Sequence, residues 1–218
     1  MNMKNSFNNK LQQTIQLLRS TFATHNPNEI FLSFNGGKDC TVLLDIIDKL
    51  LQNVEHQNYD LNCIYVRPTE PFQEIDEFVD KCEQHYNTEI RVMQGAIKEV
   101  LERICHENPS IRACIMGSRR TDPFCESLSS IQETDPGWPK LTRVNPLLDW
   151  NCTDIWHYIK ENNVPYCSLY DRGYTSIGDK TNTIPNPYLR YVSSSGEVAY
   201  LPAYQLKDAD KHERAGRI

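Results

Sequence analysis

Residues 33–40, Ser-Phe-Asn-Gly-Gly-Lys-Asp-Cys, have the composition of a phosphate-binding loop. They follow an apolar run, 30–32, and precede an amphipathic stretch, 41–51, so the predicted order is strand, glycine turn, helix. Adjacent glycines let a ligand approach the backbone, and the free amide groups and dipole at a helix N-terminus favour an anion. The spacing fits neither a Walker A loop nor a dinucleotide-binding loop, and a tight turn without a ligand is the alternative. The candidate phosphate-binding residues are Ser33, Asn35, Gly36, Gly37, Lys38 and Asp39.

A second candidate site lies at 117–124, where Arg119 and Arg120 are adjacent. Guanidinium groups bind phosphate through two parallel hydrogen bonds, so an arginine pair after a strand could hold a phosphate. Asp122 could orient the arginines or bind Mg²⁺, which takes one or two carboxylates plus substrate phosphate oxygens. The alternative is a solvated surface pair.

Further along, the segment 135–139 places the carboxylate of Asp135 beside the large aromatic face of Trp138. The segment therefore offers a hydrogen-bond acceptor next to a large apolar surface. The alternative is a proline and glycine turn with the indole packed in the core.

The elements that must position these residues alternate between strand and helix. Strands are predicted at 29–34, 61–66, 89–93 and 111–116, and helices at 10–24, 41–51, from Pro71 onward, and 96–105. Each strand–helix–strand unit is long enough for a right-handed parallel crossover. The fold class is therefore α/β, a Rossmann-like parallel sheet with helices on both faces. Ligands of such sheets bind at the carboxyl ends of the strands, so the loops 33–40, 67–70 and 117–139 should share one rim.

The second half of the chain is less regular. A long loop, 117–140, precedes a predicted strand at 144–148 and a helix at 153–161 capped by Asn151 or Thr153. Periodicity fades from residue 164. We expect a single domain, 1–218, with an N-terminal helical extension, 1–28, and a mostly irregular C-terminal segment, 164–218, that closes the active site.

Composition limits the function classes. The chain has 218 residues and a net charge of −6, which argues against general nucleic-acid binding. No run of eighteen apolar residues indicates a membrane span, and the Asn-rich N-terminus does not resemble a signal peptide. Eight cysteines show no C-x-x-C pair, so reduced, partly buried thiols are expected. We therefore expect a cytoplasmic monomer with neither nucleic-acid nor membrane partners.

The motifs resemble a known family. The loop 33–40 is similar to the pyrophosphate-binding loop of the adenine nucleotide alpha hydrolase-like superfamily, usually SGGxDS, although Asn35 replaces the first serine and Cys40 the last. The asparagine variant resembles the branch that holds PAPS reductases and eukaryotic-type FAD synthetases. The strings RRTDPF at 119–124, DPGWP at 135–139 and ERAGR at 213–217 resemble the FAD synthetases in particular.

This resemblance implies an FMN adenylyltransferase, which converts FMN and MgATP to FAD and pyrophosphate. Carried onto matching positions, the catalytic residues are Asn35, Asp39, Asp122, Arg214 and Arg217. The implied flavin-binding residues are Arg119, Arg120, Thr121, Asp122, Pro123, Phe124, Asp135 and Trp138. Asn35 and Asp122 are the expected Mg²⁺ ligands. We also expect the tail 213–218 to fold over the rim, so that its deletion reduces activity with little change in thermal stability.

Two alternatives stay open. A PAPS or APS reductase shares the loop and the sheet, but its chemistry uses a C-terminal cysteine, whereas the last cysteine here is Cys167 and ERAGR occupies the tail. The other alternative is a non-catalytic nucleotide-binding paralogue. Formation of FAD from FMN and ATP, or consumption of thioredoxin or glutathione equivalents, separates the three.

Overall fold

The computed structural model describes residues 3–52 and 61–218. Its α-helices are α1 (Met3–Thr24), α2 (Lys38–Gln52), α3 (Gln73–Tyr86), α4 (Ile97–Glu107), α5 (Cys152–Asn162) and the single turn α6 (Ala209–His212). Its strands are β1 (Ile30–Phe34), β2 (Asn62–Arg67), β3 (Ile90–Gln94), β4 (Ala113–Ile115), β5 (Ile131–Glu133), β6 (Thr142–Val144), β7 (Arg190–Val192) and β8 (Val198–Tyr200). Short 3-10 turns account for much of the remaining C-terminal segment.

A six-stranded sheet in the order β3-β2-β1-β4-β6-β5 forms the centre of the fold. All pairings are parallel except that of β5, which runs antiparallel to β6 at the edge. The predicted α/β class and parallel sheet are confirmed. The edge strand β5 was not predicted, because its three residues lie inside the polar stretch that follows β4.

The strand predicted at 144–148 is wrong. The strand β6 ends at Val144, and the next residues turn, with the Leu148 amide donating to the Asn145 carbonyl at 3.3 Å. Pro146 has no amide hydrogen and so cannot continue a ladder. Leu147 and Leu148 are nevertheless buried. A short apolar run predicts a strand from the sequence alone, but here it lies in a turn whose side chains pack into the core.

Helices cover both faces of the sheet. Side chains of α1, α2, α3 and α5 pack in one cluster against Ile30, Leu32 and Phe34, and α4 packs on the opposite face with Phe31. The first helix begins seven residues before its predicted start. The residues before position 10 are mostly polar, so the sequence pattern does not show that buried Phe7 continues the apolar face of the helix. No helix in the described ranges is long and apolar enough to cross a membrane.

Aromatic packing holds the irregular C-terminal segment onto α5. Trp156 lies edge-on to Tyr166, Tyr170 and Tyr204, with ring centroids 5.3, 5.4 and 5.8 Å away. Edge-to-face contacts of this kind stabilise a pair beyond its area burial. These contacts hold Tyr170 where its hydroxyl accepts a hydrogen bond from the first amide of α2. The C-terminal segment 164–218 thereby contacts the loop 33–40.

Candidate active site

The loop between β1 and α2 requires its two glycines. Gly36 has a φ of 68°, and a Cβ there would lie 3.0 Å from Ile75 Cγ2. A Cβ on Gly37 would meet Asn35 Oδ1 at 2.8 Å. A side chain at Gly36 would be strained by the left-handed backbone, whereas one at Gly37 would displace the Asn35 amide oxygen.

Two amide groups of this loop are already used within the protein. The Gly37 amide donates to Asn35 Oδ1 at 2.9 Å, and the Lys38 amide donates to the Tyr170 hydroxyl at 2.9 Å. The expectation that the loop presents only free amides to a phosphate is thus corrected. The Tyr170 hydroxyl therefore caps the first amide of α2, and the Asn35 side chain fixes the turn that precedes the helix.

A cavity of about 490 Å³ opens above this loop at the carboxyl ends of the strands. One side is lined by polar residues of the loop and the tail, and the other by the apolar side chains of Val66, Pro68, Phe72 and Ile97. Nine of the predicted site residues line it, namely Ser33, Asn35, Gly37, Lys38, Asp39, Arg119, Asp122, Arg214 and Arg217. The prediction that the loops after β1, β2 and β4 share one rim is confirmed for 33–40, Pro68 and 117–122.

A buried ion network lies at the base of the cavity. The Lys38 ammonium contacts Glu213 Oε1, Asp39 Oδ2 at 3.1 Å and the Thr175 carbonyl at 3.3 Å. Arg119 Nη2 donates to both oxygens of Glu213 at 2.8 Å, and Arg119 Nε lies 2.8 Å from Asp39 Oδ1. Both cations are only 2% exposed. A lysine has three donors, and all three of Lys38 are engaged, so this side chain does not face the cavity as a free cation.

The network favours the charged forms of Lys38, Asp39 and Arg119. Burial alone would lower the pKa of Lys38, but Asp39 and Glu213 outweigh it and raise the pKa well above its usual range. Burial would raise the pKa of Asp39, but Arg119 and Lys38 overcome it and lower the pKa. Ion pairs buried to this extent are stable only with well-placed partners, so each of the four groups depends on the others.

Asp122 and Asn35 supply the oxygen atoms that could hold a metal. Asp122 Oδ2 accepts the Arg119 amide at 2.9 Å, whereas Oδ1 lies 3.6 Å from Arg119 Nη2 and has room for another partner. Burial is the main cause of the raised pKa of Asp122. Within the described residues there is no cluster of three carboxylate, histidine or cysteine ligands. Mg²⁺ does not need one, because substrate phosphates and water complete its octahedron, so this donor set fits Mg²⁺ bound together with a nucleotide.

Arg214 and Arg217 are the cations that remain available to a ligand. Both line the cavity, and in the described part of the chain neither forms an ion pair. Arg214 is exposed and Arg217 half-buried, with its guanidinium against Gly178. Burial, and then the neighbouring charge of Arg214, lower the pKa of Arg217. The charge of Asp179 opposes this shift, but within the described residues no carboxylate forms an ion pair with either guanidinium. Two neighbouring positive charges of this kind favour an anion between them.

Apart from Arg119 and Asp122, the predicted flavin-binding residues do not line this cavity. Arg120 is tied to its own loop, with Nε 2.6 Å from Asp149 Oδ1 and Nη1 bonded to the carbonyls of Glu126 and Leu128. Phe124 is 93% exposed and Trp138 is 40% exposed. Thr121, Pro123 and Asp135 are also exposed. The interpretation of Trp138 as a core residue is excluded, and the flavin assignment of this segment stays a prediction.

Three residues of the site were not singled out from the sequence. Glu213 is the centre of the ion network, Tyr170 caps the loop, and Thr175 contacts both Lys38 and the Glu213 carbonyl. Glu213 stands in the ERAGR string, so motif membership was a signal for this residue. Their contacts span more than a hundred residues in sequence, or join turns without periodicity, and no local pattern reveals them.

The family model for the phosphoadenosine phosphosulfate reductase domain matches residues 29–185. A probable FAD synthase of Schizosaccharomyces pombe is 38% identical over 96% of this chain and 79% of its own length. The flavin adenine dinucleotide synthase of Saccharomyces cerevisiae is 35% identical over 82% of this chain and 66% of its own length. A probable FAD synthase of Caenorhabditis briggsae is 37% identical, but this chain spans only 40% of it.

Solved structures agree with these relatives. The FMN adenylyltransferase of Candida glabrata, in complex with FMN and the ATP analogue AMPCPP, superposes with a TM-score of 0.89 at 29% identity, over 98% of this chain and 90% of that one. Yeast FAD synthetase in complex with FAD gives a TM-score of 0.84 at 30% identity over the same share of each. A PAPS reductase of Candida auris shares the fold, with a TM-score of 0.60 at 21% identity. The chain belongs to the phosphoadenosine phosphosulfate reductase domain family and, within it, to the FAD synthases.

Proposed function

We propose that this protein is an FMN adenylyltransferase that transfers AMP from ATP to the phosphate of FMN. The observation that carries the proposal is the pair Arg214 and Arg217, which lines the same cavity as the glycine loop and forms no ion pair among the described residues. An acidic protein that binds two anionic substrates needs local positive charge at this point.

The reaction is a displacement at the α-phosphorus of ATP. An oxygen of the FMN phosphate forms the new P–O bond, the bond from the α-phosphorus to the bridging oxygen breaks, and pyrophosphate leaves with the electron pair. The nucleophile is already an anion, so the enzyme contributes alignment and charge neutralisation rather than a strong base. Arg214 and Arg217 would neutralise the phosphates as charge moves to the leaving group.

Within this proposal, the polar side of the cavity holds the phosphates. Gly36 and Gly37 let the triphosphate lie against the start of α2, and Asn35 and Asp39 act from the loop. The apolar side, formed by Val66, Pro68, Phe72 and Ile97, suits a planar base. The segment 164–218 supplies Ser176, Gly178 and both arginines to the rim, which supports its proposed role in closing the site.

Mg²⁺ would be held by Asp122 and Asn35 together with phosphate oxygens. When bound, it supplies charge neutralisation and orientation at the phosphates. Asp122 Oδ1 supports this assignment, because its strongest contact to the protein is an ion pair at 3.6 Å. In the same proposal the protein is a monomer that acts in the cytoplasm.

The thiol environment argues against the reductase alternative. Cys167, the last cysteine, is fully buried with its Sγ against the Glu74 carbonyl, and burial raises its pKa to about 11. A thiol of that pKa is protonated at neutral pH and is a poor nucleophile. The reductase reaction therefore has no suitable group at this position.

A direct assay tests the proposal. Purified protein is incubated with FMN, ATP and Mg²⁺, the flavins are separated by chromatography, and released pyrophosphate is measured in the same samples. We expect FAD and pyrophosphate in equal amounts. Release of pyrophosphate without FAD would identify a different acceptor, and no turnover of ATP would favour the non-catalytic paralogue.

A second test replaces both cavity arginines that form no ion pair within the described ranges. The Arg214→Gln and Arg217→Gln double variant keeps a polar side chain with an N–H donor at each position but removes both charges. We expect it to lose FAD formation by at least about 1,000-fold, as for groups that neutralise a transferring phosphoryl group. Retained activity in a folded double variant would transfer the role to other groups and contradict the proposal.

A further inference from the structure

The carboxylate of Glu213 occupies a position that none of the proposed catalytic roles includes. It accepts hydrogen bonds from Lys38 Nζ and from Arg119 Nη2, and the residue is 4% exposed. Lys38 starts α2, and Arg119 follows β4, so one side chain of the tail joins two of the loops that form the cavity. An arrangement that costs this much desolvation must be stabilised by exact pairing.

The backbone around Glu213 is held independently of its carboxylate. Its carbonyl accepts the Thr175 hydroxyl at 2.6 Å, and its amide donates to the Ala209 carbonyl at 2.7 Å. Asn186 is fully buried and donates to both Thr175 Oγ1 and the His212 carbonyl, each at 2.8 Å. The carboxylate is therefore delivered to the two cations by a rigid turn, and it is not a mobile side chain that happens to reach them.

The ion pairs of the network indicate what the Glu213 carboxylate does for the cavity. Lys38 and Arg119 are shared between Asp39 on one element and Glu213 on another. Without Glu213, two buried cations would have Asp39 and the more distant Asp122 as their acidic partners. They would then be drawn toward the nearest other anion, which in a loaded enzyme is the triphosphate. In the structure, Glu213 pairs both Lys38 Nζ and Arg119 Nη2 within the protein.

We propose that Glu213 is a positioning residue that holds Lys38 and Arg119 off the ATP phosphates and so fixes Asp39, Asp122 and Arg214 for transfer. The idea rests on the proposed adenylyl transfer. It explains why the glutamate directly precedes Arg214, since the same turn that buries the carboxylate presents the arginine to the cavity. Two released cations would bind ground-state ATP without being aligned for the transition state, and such uniform binding does not raise kcat.

The test compares Glu213→Gln with the wild type in two separate measurements. Steady-state FAD formation gives kcat and KM, and calorimetry with ATP alone gives the dissociation constant. We expect kcat to fall about 100-fold, while ATP binds as tightly as in the wild type or more tightly. The matched control is Glu161→Gln, the same substitution at an exposed position of α5, which should change neither quantity.

Each outcome decides the matter. A folded Glu213→Gln enzyme with wild-type kcat overturns the proposal, and so does a variant whose ATP binding weakens in proportion to kcat, because that result indicates a purely structural role. If the glutamine variant does not fold, Glu213→Asp keeps the charge on a shorter stem. A lowered kcat with retained ATP affinity in that variant supports the proposal, and wild-type kcat overturns it.

If the wild type binds ATP but forms no FAD, the proposed function fails first, and tighter ATP binding by Glu213→Gln still tests the release of the two cations.

Discussion

Two regions of the site differ in how they are built. The ion network of Lys38, Asp39, Arg119 and Glu213 is buried, joins three elements and pairs each cation with carboxylates of the protein, although Arg119 Nη1 has no hydrogen-bond partner among the residues that the structure describes. The flavin segment, residues 120–139, is largely exposed, with Phe124 in a left-handed conformation at a φ of 63° and its ring 93% exposed. The first region is therefore fixed before substrate arrives, whereas the second is held mainly by hydrogen bonds within its own loop.

Because of this difference, substitutions in the two regions should have different effects on stability and on substrate binding. In the network, each side chain stabilises the fold as well as the geometry of the cavity, so stability and activity should change together. In the flavin segment, exposed side chains contribute little to the core, so binding of FMN should change while the fold does not. The predictions below separate these two kinds of response.

The largest effect is expected from deletion of residues 213–218. The network then loses Glu213, and the chain loses both free arginines. The earlier expectation of little change in stability is replaced, because removing one partner of a buried pair costs about 3–5 kcal/mol, or a fall of about 10 °C in Tm. FAD formation should be abolished. Thermal unfolding followed by circular dichroism checks the first part and chromatography the second.

The control for this deletion removes Ile218 alone. Ile218 is exposed and lies beyond the network, and its deletion removes one backbone hydrogen bond, from its amide to the Asn182 carbonyl at 3.0 Å. This shorter deletion should therefore keep activity and lower Tm much less than the deletion of 213–218. Equal Tm values for the two truncated chains would show that the network does not stabilise the fold and would remove the contrast between the regions.

Arg217→Lys should reduce activity without changing stability. A lysine keeps the charge but cannot form the two parallel hydrogen bonds of a guanidinium with a phosphate. We expect kcat/KM to fall about 30-fold, as for the loss of a transition-state contact of about 2 kcal/mol. The backbone of Arg217 pairs with Thr183 whatever its side chain, so Tm should stay within about 2 °C of the wild type, the range typical of exposed substitutions.

Arg190→Lys on β7 is the matched control, since Arg190 is exposed and does not line the cavity. It should leave kcat/KM and Tm unchanged. Wild-type activity in Arg217→Lys would mean that a point charge suffices at this position.

The sequence predicted most of the fold because periodicity and glycine placement are local signals. The alternating strands and helices follow from runs such as 30–34 and 42–51, and the position of the loop 33–40 follows from the parallel topology. The edge strand β5 escaped because three residues in a polar loop carry no pattern, and β6 was misplaced because Leu147 and Leu148 are buried from a turn.

The site was predicted in its residues but not in its contacts. Lys38 and Arg119 were recognised as cations near a phosphate loop, yet both face carboxylates. The partner that changes their role, Glu213, lies far away in the chain and is brought back by turns stabilised through Thr175 and Asn186. Such pairing depends on tertiary structure, and residue type and spacing do not encode it.

A smaller effect is expected in the flavin segment. Trp138→Ala removes an exposed aromatic face, and we expect KM for FMN to rise about tenfold, the equivalent of a stacking contact of about 1.4 kcal/mol, with kcat at saturating FMN and Tm unchanged. Tyr191→Ala is the matched control, because Tyr191 is 43% exposed on β7 and does not line the cavity. An unchanged KM for FMN in Trp138→Ala would place the flavin elsewhere, and a fall in Tm would show that this segment supports the fold after all.

The smallest effect is expected at Cys40, which lies in the loop and lines the cavity although the chemistry needs no thiol. Burial is the main cause of its pKa of about 12, so the thiol stays protonated in the folded enzyme and should react slowly with iodoacetamide at pH 8. In the unfolded chain this thiol loses its proton near pH 8.5, so above that pH its ionisation favours the unfolded state and lowers the free energy of unfolding. Cys40→Ser should remove this contribution to the loss of stability at alkaline pH. We expect kcat of Cys40→Ser to stay within about tenfold of the wild type, with Cys125→Ser, at a partly exposed thiol, as the control. A folded Cys40→Ser enzyme without activity would indicate thiol-dependent chemistry and would move Cys40 from the supporting loop into the catalytic set.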